Sequence, residues 1–172
     1  MEYGQKIHIG GIKFSEELAQ VTVGCKTTDD CTIHQLLHLL AERDINLTFL
    51  CHAGLSGNIE SIFCIDRADL GKVQQILIRS SLPNEQVQII PSIGTLTLFP
   101  HRNEMKLLGL VIGLFGKHGF PVHSFSTSIS AIAFNTDYSL LDEITERLQD
   151  IFVLPENHAP FRQDFRVTQI QL

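Results

Sequence analysis

The chain presents one pattern of apolar positions twice, about 75 residues apart, and this tandem repeat restricts the fold more than any single motif. Ile33, Leu36, Leu37 and Leu40 form a helical stripe at i, i+3, i+4 and i+7, and Leu108, Val111, Ile112 and Phe115 repeat it at the same spacing. Upstream, the alternating Val21 and Val23 correspond to Leu96 and Leu98. Downstream, Leu47 corresponds to Val122. Past a shortened loop the offset falls to about 70, aligning Ile62 and Cys64 with Ile132 and Phe134, then Leu70, Val73 and Leu77 with Leu141, Ile144 and Leu148.

Within the first unit, alternation over 18–25 suits a strand covered on one face. Thr27, Thr28, Asp29 and Asp30 carry short polar side chains that can cap a helix running from about 31 to 43. Residues 46–53 and 58–66 are β-rich and joined by Gly54-Leu55-Ser56-Gly57, a hairpin signal. Asp66 then caps a helix over 68–79, and Ser81-Leu82-Pro83-Asn84 separates it from a short strand over 86–90. The second unit repeats the order with strands over 94–99, 122–128 and 131–135 and helices over 104–117 and 139–150. Its last strand is open: residues 165–172 and residues 6–13 compete for the same edge. A βαββαβ order gives an antiparallel sheet with both helices on one face. The expectation is an α+β protein of two tandem ferredoxin-like units, 18–90 and 94–172, with residues 6–13 adding an edge strand to the second.

Composition narrows the function. A net charge of −6 argues against a nucleic-acid surface, which is built from Lys and Arg that displace counterions. The longest apolar run, 107–115, falls far short of the ~20 residues that cross a bilayer. No targeting segment is recognisable at the start, so the expectation is a cytoplasmic protein without membrane or nucleic-acid partners. Cys25, Cys31, Cys51 and Cys64 show no C-x-x-C spacing and read as reduced thiols, with Cys25, Cys51 and Cys64 as small buried apolar residues.

With the duplication established, shorter segments become specific. Gly11-Ile12 followed by 19–24 (AQVTVG), Asp44-Ile45-Asn46-Leu47, the glycine-led 57–63 (GNIESIF), Ser126-Thr127-Ser128 and 148–154 (LQDIFVL) occur in the order found in the tandem ACT regulatory region of aspartokinases. The chain resembles that region over about 7–154, without the kinase domain. The resemblance implies units that associate side by side, often across a dimer, and bind a small effector such as an amino acid at the interface. It also implies a ligand site near the first strand-to-helix turn and the start of the second strand, where a helix N-terminus attracts a carboxylate. Carried over position by position, the ligand-binding residues are Thr28, Asp29, Asp30, Asn46, Ser126 and Thr127. Two features depart from the family: its Pro-Gly pair before the helix is Asp30-Cys31 in the first unit and Met105-Lys106 in the second, and the glutamate after Ser-Thr-Ser is Ile129.

Rival sites have simpler explanations. His34 and His38 have the i, i+4 spacing of a metal pair, but Gln35 replaces the glutamate of a zinc protease and no third ligand is placed, so they read as solvated flank residues. No nucleophile, base and orienting group stand at recognisable positions, so no enzyme activity, metal or cofactor is expected. Gly109, Gly113 and Gly116 interrupt a helix at roughly 1 kcal/mol each against alanine, which predicts close approach of another helix or of the sheet. The leading expectation is a regulatory module sensing an amino acid or related metabolite, a homodimer that reports to a regulated enzyme partner. The alternative is a ligand-free assembly module built from degenerate ACT units.

Overall fold

Asp44 and Gly119 occupy equivalent places in the repeat, and both take positive φ, 53° and 71° respectively. Each reverses the chain at the end of a helix: the Ile45 amide donates to Leu40 O at 3.1 Å and the Phe120 amide to Phe115 O at 2.9 Å. The repeat is thus visible in backbone conformation as well as in apolar spacing. The computed structural model describes residues 6–25, 31–55, 58–79, 87–99, 105–158 and 161.

In chain order the elements are β1 (Ile7–His8), β2 (Gly11–Phe14), β3 (Leu18–Cys25), α1 (Cys31–Ala41), β4 (Leu47–Leu55), β5 (Asn58–Asp66), α2 (Leu70–Arg79), β6 (Val87–Phe99), α3 (Met105–His118), β7 (Ser124–Thr127), β8 (Ile132–Asp137), α4 (Leu141–Leu148) and β9 (Phe152–Val153). Short 3₁₀ turns, Arg67–Asp69 and Tyr138–Leu140, lead into α2 and α4. As expected, Asp66 caps the first of them, its carboxylate accepting from the Ala68 amide at 2.8 Å.

The strand order is β4-β5-β3-β6-β8-β7, every neighbouring pair antiparallel, with β2 also on β6. The short strand expected over 86–90 and the strand expected over 94–99 are one strand, β6. Its first half pairs with β3, from Val87↔Val23 to Ile93↔Leu18, and its second half with β8, from Ile93↔Asp137 to Leu98↔Ile132. Two four-stranded ferredoxin-like sheets, β4-β5-β3-β6 and β7-β8-β6-β2, therefore share one strand. The edge left open by the sequence is taken by the N-terminal segment, with Gly11↔Phe99 through Phe14↔Leu96. The competing segment, 165–172, lies outside the described residues. Beside this edge β1 pairs in parallel with β9.

Register corrects the repeat alignment by one residue. Val21 pairs with Phe63 and Leu96 with Phe134, while Val23 pairs with Ser61 and Leu98 with Ile132. Phe63 is therefore equivalent to Phe134, an offset of 71 that α2 and α4 also obey (Leu70 to Leu141). The difference matters because a one-residue slip moves every strand side chain to the other face. Phe63 and Ile65 pack under α1 and α2, whereas Ile62 and Cys64 belong to the opposite face.

Each sheet buries one face beneath its own helices. Val21, Val23, Leu36, Leu40, Phe63, Val73 and Leu77 form the first core, and Leu96, Leu98, Val111, Phe115, Phe134, Ile144 and Leu148 the second. The helix-free faces meet each other: Gln20 and Cys64 from the first sheet contact Ser124 and Asn135 from the second. Strand β6 carries the chain from one sheet to the other, giving helix, sheet, sheet and helix layers.

Candidate functional site

The ligand site that the sequence resemblance implies lies at the first strand-to-helix turn, and the register locates that corner. Cys25, the last residue of β3, pairs with Ile59, which pairs with Gly54 of β4. On the helix face, the nearest described polar side chains are two residues inward, where Val23, Ser61 and His52 lie in one row. Ser61 is buried, its parity puts it on the helix face with Phe63, and its hydroxyl lies 2.7 Å from His52 Nδ1. These two residues sit on the side of the sheet that α1 covers, at the edge formed by β4. Sequence reasoning missed them, because Ser61 stands at a position whose repeat equivalent, Ile132, is apolar.

The sequence-derived residues are distributed differently. Thr28, Asp29 and Asp30 lie outside the described residues. Asn46 is exposed and directly precedes β4, at the far end of that strand: Leu47 is level with Ile65 and Ala19, whereas Gly54 is level with Cys25. The seven residue steps from Leu47 to Gly54 span about 23 Å. Ser126 and Thr127 lie on β7, the opposite terminal strand of the order. Thr127, paired with Ile132, faces α3 at the end of the sheet where β6 finishes, and it is the repeat equivalent of His52. Ser126 faces the other way, as adjacent strand residues must. Within one chain the structure does not gather Asn46, Ser126 and Thr127.

A second polar cluster joins the two sheets. Asn135, fully buried, accepts at Oδ1 from the Thr95 hydroxyl at 2.6 Å and donates from Nδ2 to Ser124 Oγ at 2.8 Å and to Cys64 Sγ at 3.4 Å. The Ser124 hydroxyl in turn donates to Gln20 Oε1 at 2.7 Å. Burial pushes the Cys64 thiol up to about 12, so it stays neutral and serves as packing and a weak acceptor. Cys51 is only half-buried, less than its sequence reading.

The remaining sequence features fall in place. His34 and His38 are exposed on α1, and His38 Nδ1 lies 3.3 Å from Glu42. Among the described residues no three His, Cys, Asp or Glu side chains converge to hold a metal. The glycines of α3 correct an expectation: among the described residues, a Cβ built on Gly109, Gly113 or Gly116 meets nothing within 4 Å, so no described helix or sheet approaches them.

No family model matches the sequence, and no curated protein matches it. Solved structures do. The regulatory subunit of aspartate kinase from Thermus thermophilus, in ligand-free form, superposes with a TM-score of 0.70 at 11% identity, over 84% of this chain and 99% of that one. This is the fold of an aspartokinase regulatory subunit. A structure of aspartokinase alpha and beta subunits gives 0.70 at 16% identity, over 83% of this chain and 97% of that chain. Escherichia coli aspartokinase III gives 0.64 at 11% identity, over 86% of this chain but 34% of that one, so the chain spans about a third of that protein. Among the described residues no helix is long and apolar enough to cross a membrane.

Proposed function

We propose that this chain is a regulatory small-molecule-binding module that senses an amino acid or related metabolite at an interface between ACT-type units. The observation that carries the reading is the superposition on regulatory subunits over nearly their whole length. The effector class draws support from aspartokinase III, whose structure is a complex with lysine and aspartate. In this reading the units are 18–90 and 94–172, with 6–13 closing the second sheet; the protein is cytoplasmic, has no catalytic role of its own, and reports to an enzyme partner.

Two copies complete the site. Strands β4 and β7 are both terminal in the strand order, each carrying a half-exposed apolar residue at the equivalent place, Leu50 and Phe125. Pairing β4 of one copy with β7 of the other satisfies both edges in a closed two-fold dimer, whereas like-with-like pairing leaves an edge free. The facing helices fit by size: α1 presents exposed His34 and His38 where α3 presents Gly109 and Gly113. Antiparallel pairing also brings the ends of edge strands from different copies together, which one chain alone does not do for Asn46 and Thr127. An effector that fits one arrangement of the copies better than another then shifts the population between them.

The second reading is a ligand-free assembly module, favoured by the dispersal of Asn46, Ser126 and Thr127 within the chain. Thermal unfolding against the twenty amino acids and aspartate-pathway intermediates separates the two. A ligand at a hundredfold excess over its Kd adds about 2.7 kcal/mol, so a selective rise of several degrees supports sensing. A dimer whose stability no compound changes supports assembly.

A further inference from the structure

Away from both edges, the first unit carries a small cavity of about 100 Å³ lined by Arg43, Lys72, Gln75, Ile76 and Arg79. Four of these residues share one face of α2 at i, i+3, i+4 and i+7, and Arg43 reaches in from the turn after α1. In a chain of net charge −6 with 13 basic residues, three cations converge on one cavity that no carboxylate among the described residues lines. We propose that this cavity binds a tetrahedral oxyanion, either inorganic phosphate or the phosphate end of a small metabolite.

Structural roles account for only part of the arrangement. Arg43 caps α1 by donating from Nη1 to Leu39 O at 3.1 Å, which uses one of its five N–H groups. Lys72 donates to Asp69 Oδ1 at 2.6 Å, leaving two of its three protons for another acceptor. Arg79 has no hydrogen bond or ion pair with any described residue. Of the nearby acids, Glu42 lies against His38, and Asp69 offsets the charge of Lys72 alone, leaving Arg43 and Arg79 without a carboxylate partner among the described residues. Two guanidinium forks and an ammonium around one opening repel one another, and a phosphate group would remove that repulsion while accepting from all three. The Gln75 amide adds a neutral donor, and the buried Ile76 closes the floor. The charged groups are exposed, so binding weakens as salt screens them. Because α1 and α2 both contribute, the anion favours their packed arrangement.

The test is an amide NMR titration of the full chain with sodium phosphate, with sodium chloride at matched ionic strength as reference, repeated with glycerol 3-phosphate. Saturable phosphate-induced shifts at residues 43, 72, 75 and 79, including the Gln75 side-chain amide, support the site, as does tighter binding of glycerol 3-phosphate, which would identify the ligand as a phosphomonoester. Arg43→Gln with Arg79→Gln should weaken binding about tenfold or more, and Arg79→Gln alone gives the same direction without touching the α1 cap. Lys106→Gln with Arg147→Gln, on the other unit, should leave it intact. Shifts that chloride reproduces, or that the Arg79→Gln protein retains at unchanged affinity, overturn the proposal.

Discussion

Replacing Gly109 and Gly113 by alanine should change folding and association in opposite directions. Among the described residues, the added methyl groups meet no atom within 4 Å beyond the backbone of their own helix, and neither glycine has the positive φ that would strain a side chain. Only helix propensity then acts on the isolated chain, at about 1 kcal/mol per glycine in a helix interior. The double variant should gain about 2 kcal/mol, which for a chain of this size raises the melting temperature by about 4–8 °C. The dimer should respond oppositely, because the same methyl groups fill the space proposed to receive His34 and His38 of a second copy. Misfit of this kind costs roughly 1–3 kcal/mol, a weakening of association by roughly 5- to 150-fold. The measurements are thermal unfolding at concentrations below the dimer dissociation constant, and sedimentation velocity across a concentration series. A loss of stability in the isolated chain would refute the open face of α3. A gain in stability with association unchanged would refute its use as an interface.

Asn135→Ala removes the acceptor of the Thr95 hydroxyl and the donor to Ser124 in a fully buried place, and should destabilise by about 3 kcal/mol; urea unfolding that stays within 0.5 kcal/mol, about the range of an ordinary surface substitution, would discount the network. Cys64 is held near 12 against an ordinary 9.0 by burial, so the native state favours the neutral thiol. Its contribution is complete below about pH 9 and is lost toward pH 12 at up to about 1.4 kcal/mol per unit; Cys64→Ala should flatten that part of the stability profile, and identical profiles would remove the assignment. Asp44→Gly relieves a side chain at φ 53° and should stabilise by up to about 1 kcal/mol, while Gly119→Ala at φ 71° should destabilise by a similar amount. Chemical denaturation of the two variants side by side checks that the paired helix ends are equivalent.

The fold was legible where periodicity records burial. The stripes Leu36–Leu40 and Val111–Phe115 place two helices, and the alternation at Val21 and Leu96 places the strands beneath them. The register of β5 against β8 was not legible, because Ile62, Phe63, Cys64 and Ile65 are all apolar. Both faces of β5 are buried, one by helices and one by the other sheet, so the sequence lacks the polar alternation that would mark its helix face. Strand β6 reads as two strands because Pro91, Ser92 and Gly94 resemble a linker; the β3 ladder passes over Pro91 and Ser92 in a bulge and resumes at Ile93, and Gly94 pairs with Thr136 of β8. The site was less legible still. His52 and Ser61 are joined only by strand pairing, and the glycines of α3 indicated a close approach that no described residue of the chain makes.

The same double burial bears on how a signal would travel. Strand β6 belongs to both sheets, so the second unit cannot rotate against the first without disturbing either the β3 ladder or the β8 ladder. Asn135 adds a second constraint, since its hydrogen bonds are satisfied in one relative placement of the sheets and lost in others. A ligand at the edge of either unit therefore acts on a body already stiffened across its middle. In the proposed dimer the softer coordinate is the contact between copies along β4, β7 and the flanking helices, where exposed Leu50, Ile112 and Phe125 leave room to repack. Regulation through this fold should accordingly change how two chains meet more than it changes either chain.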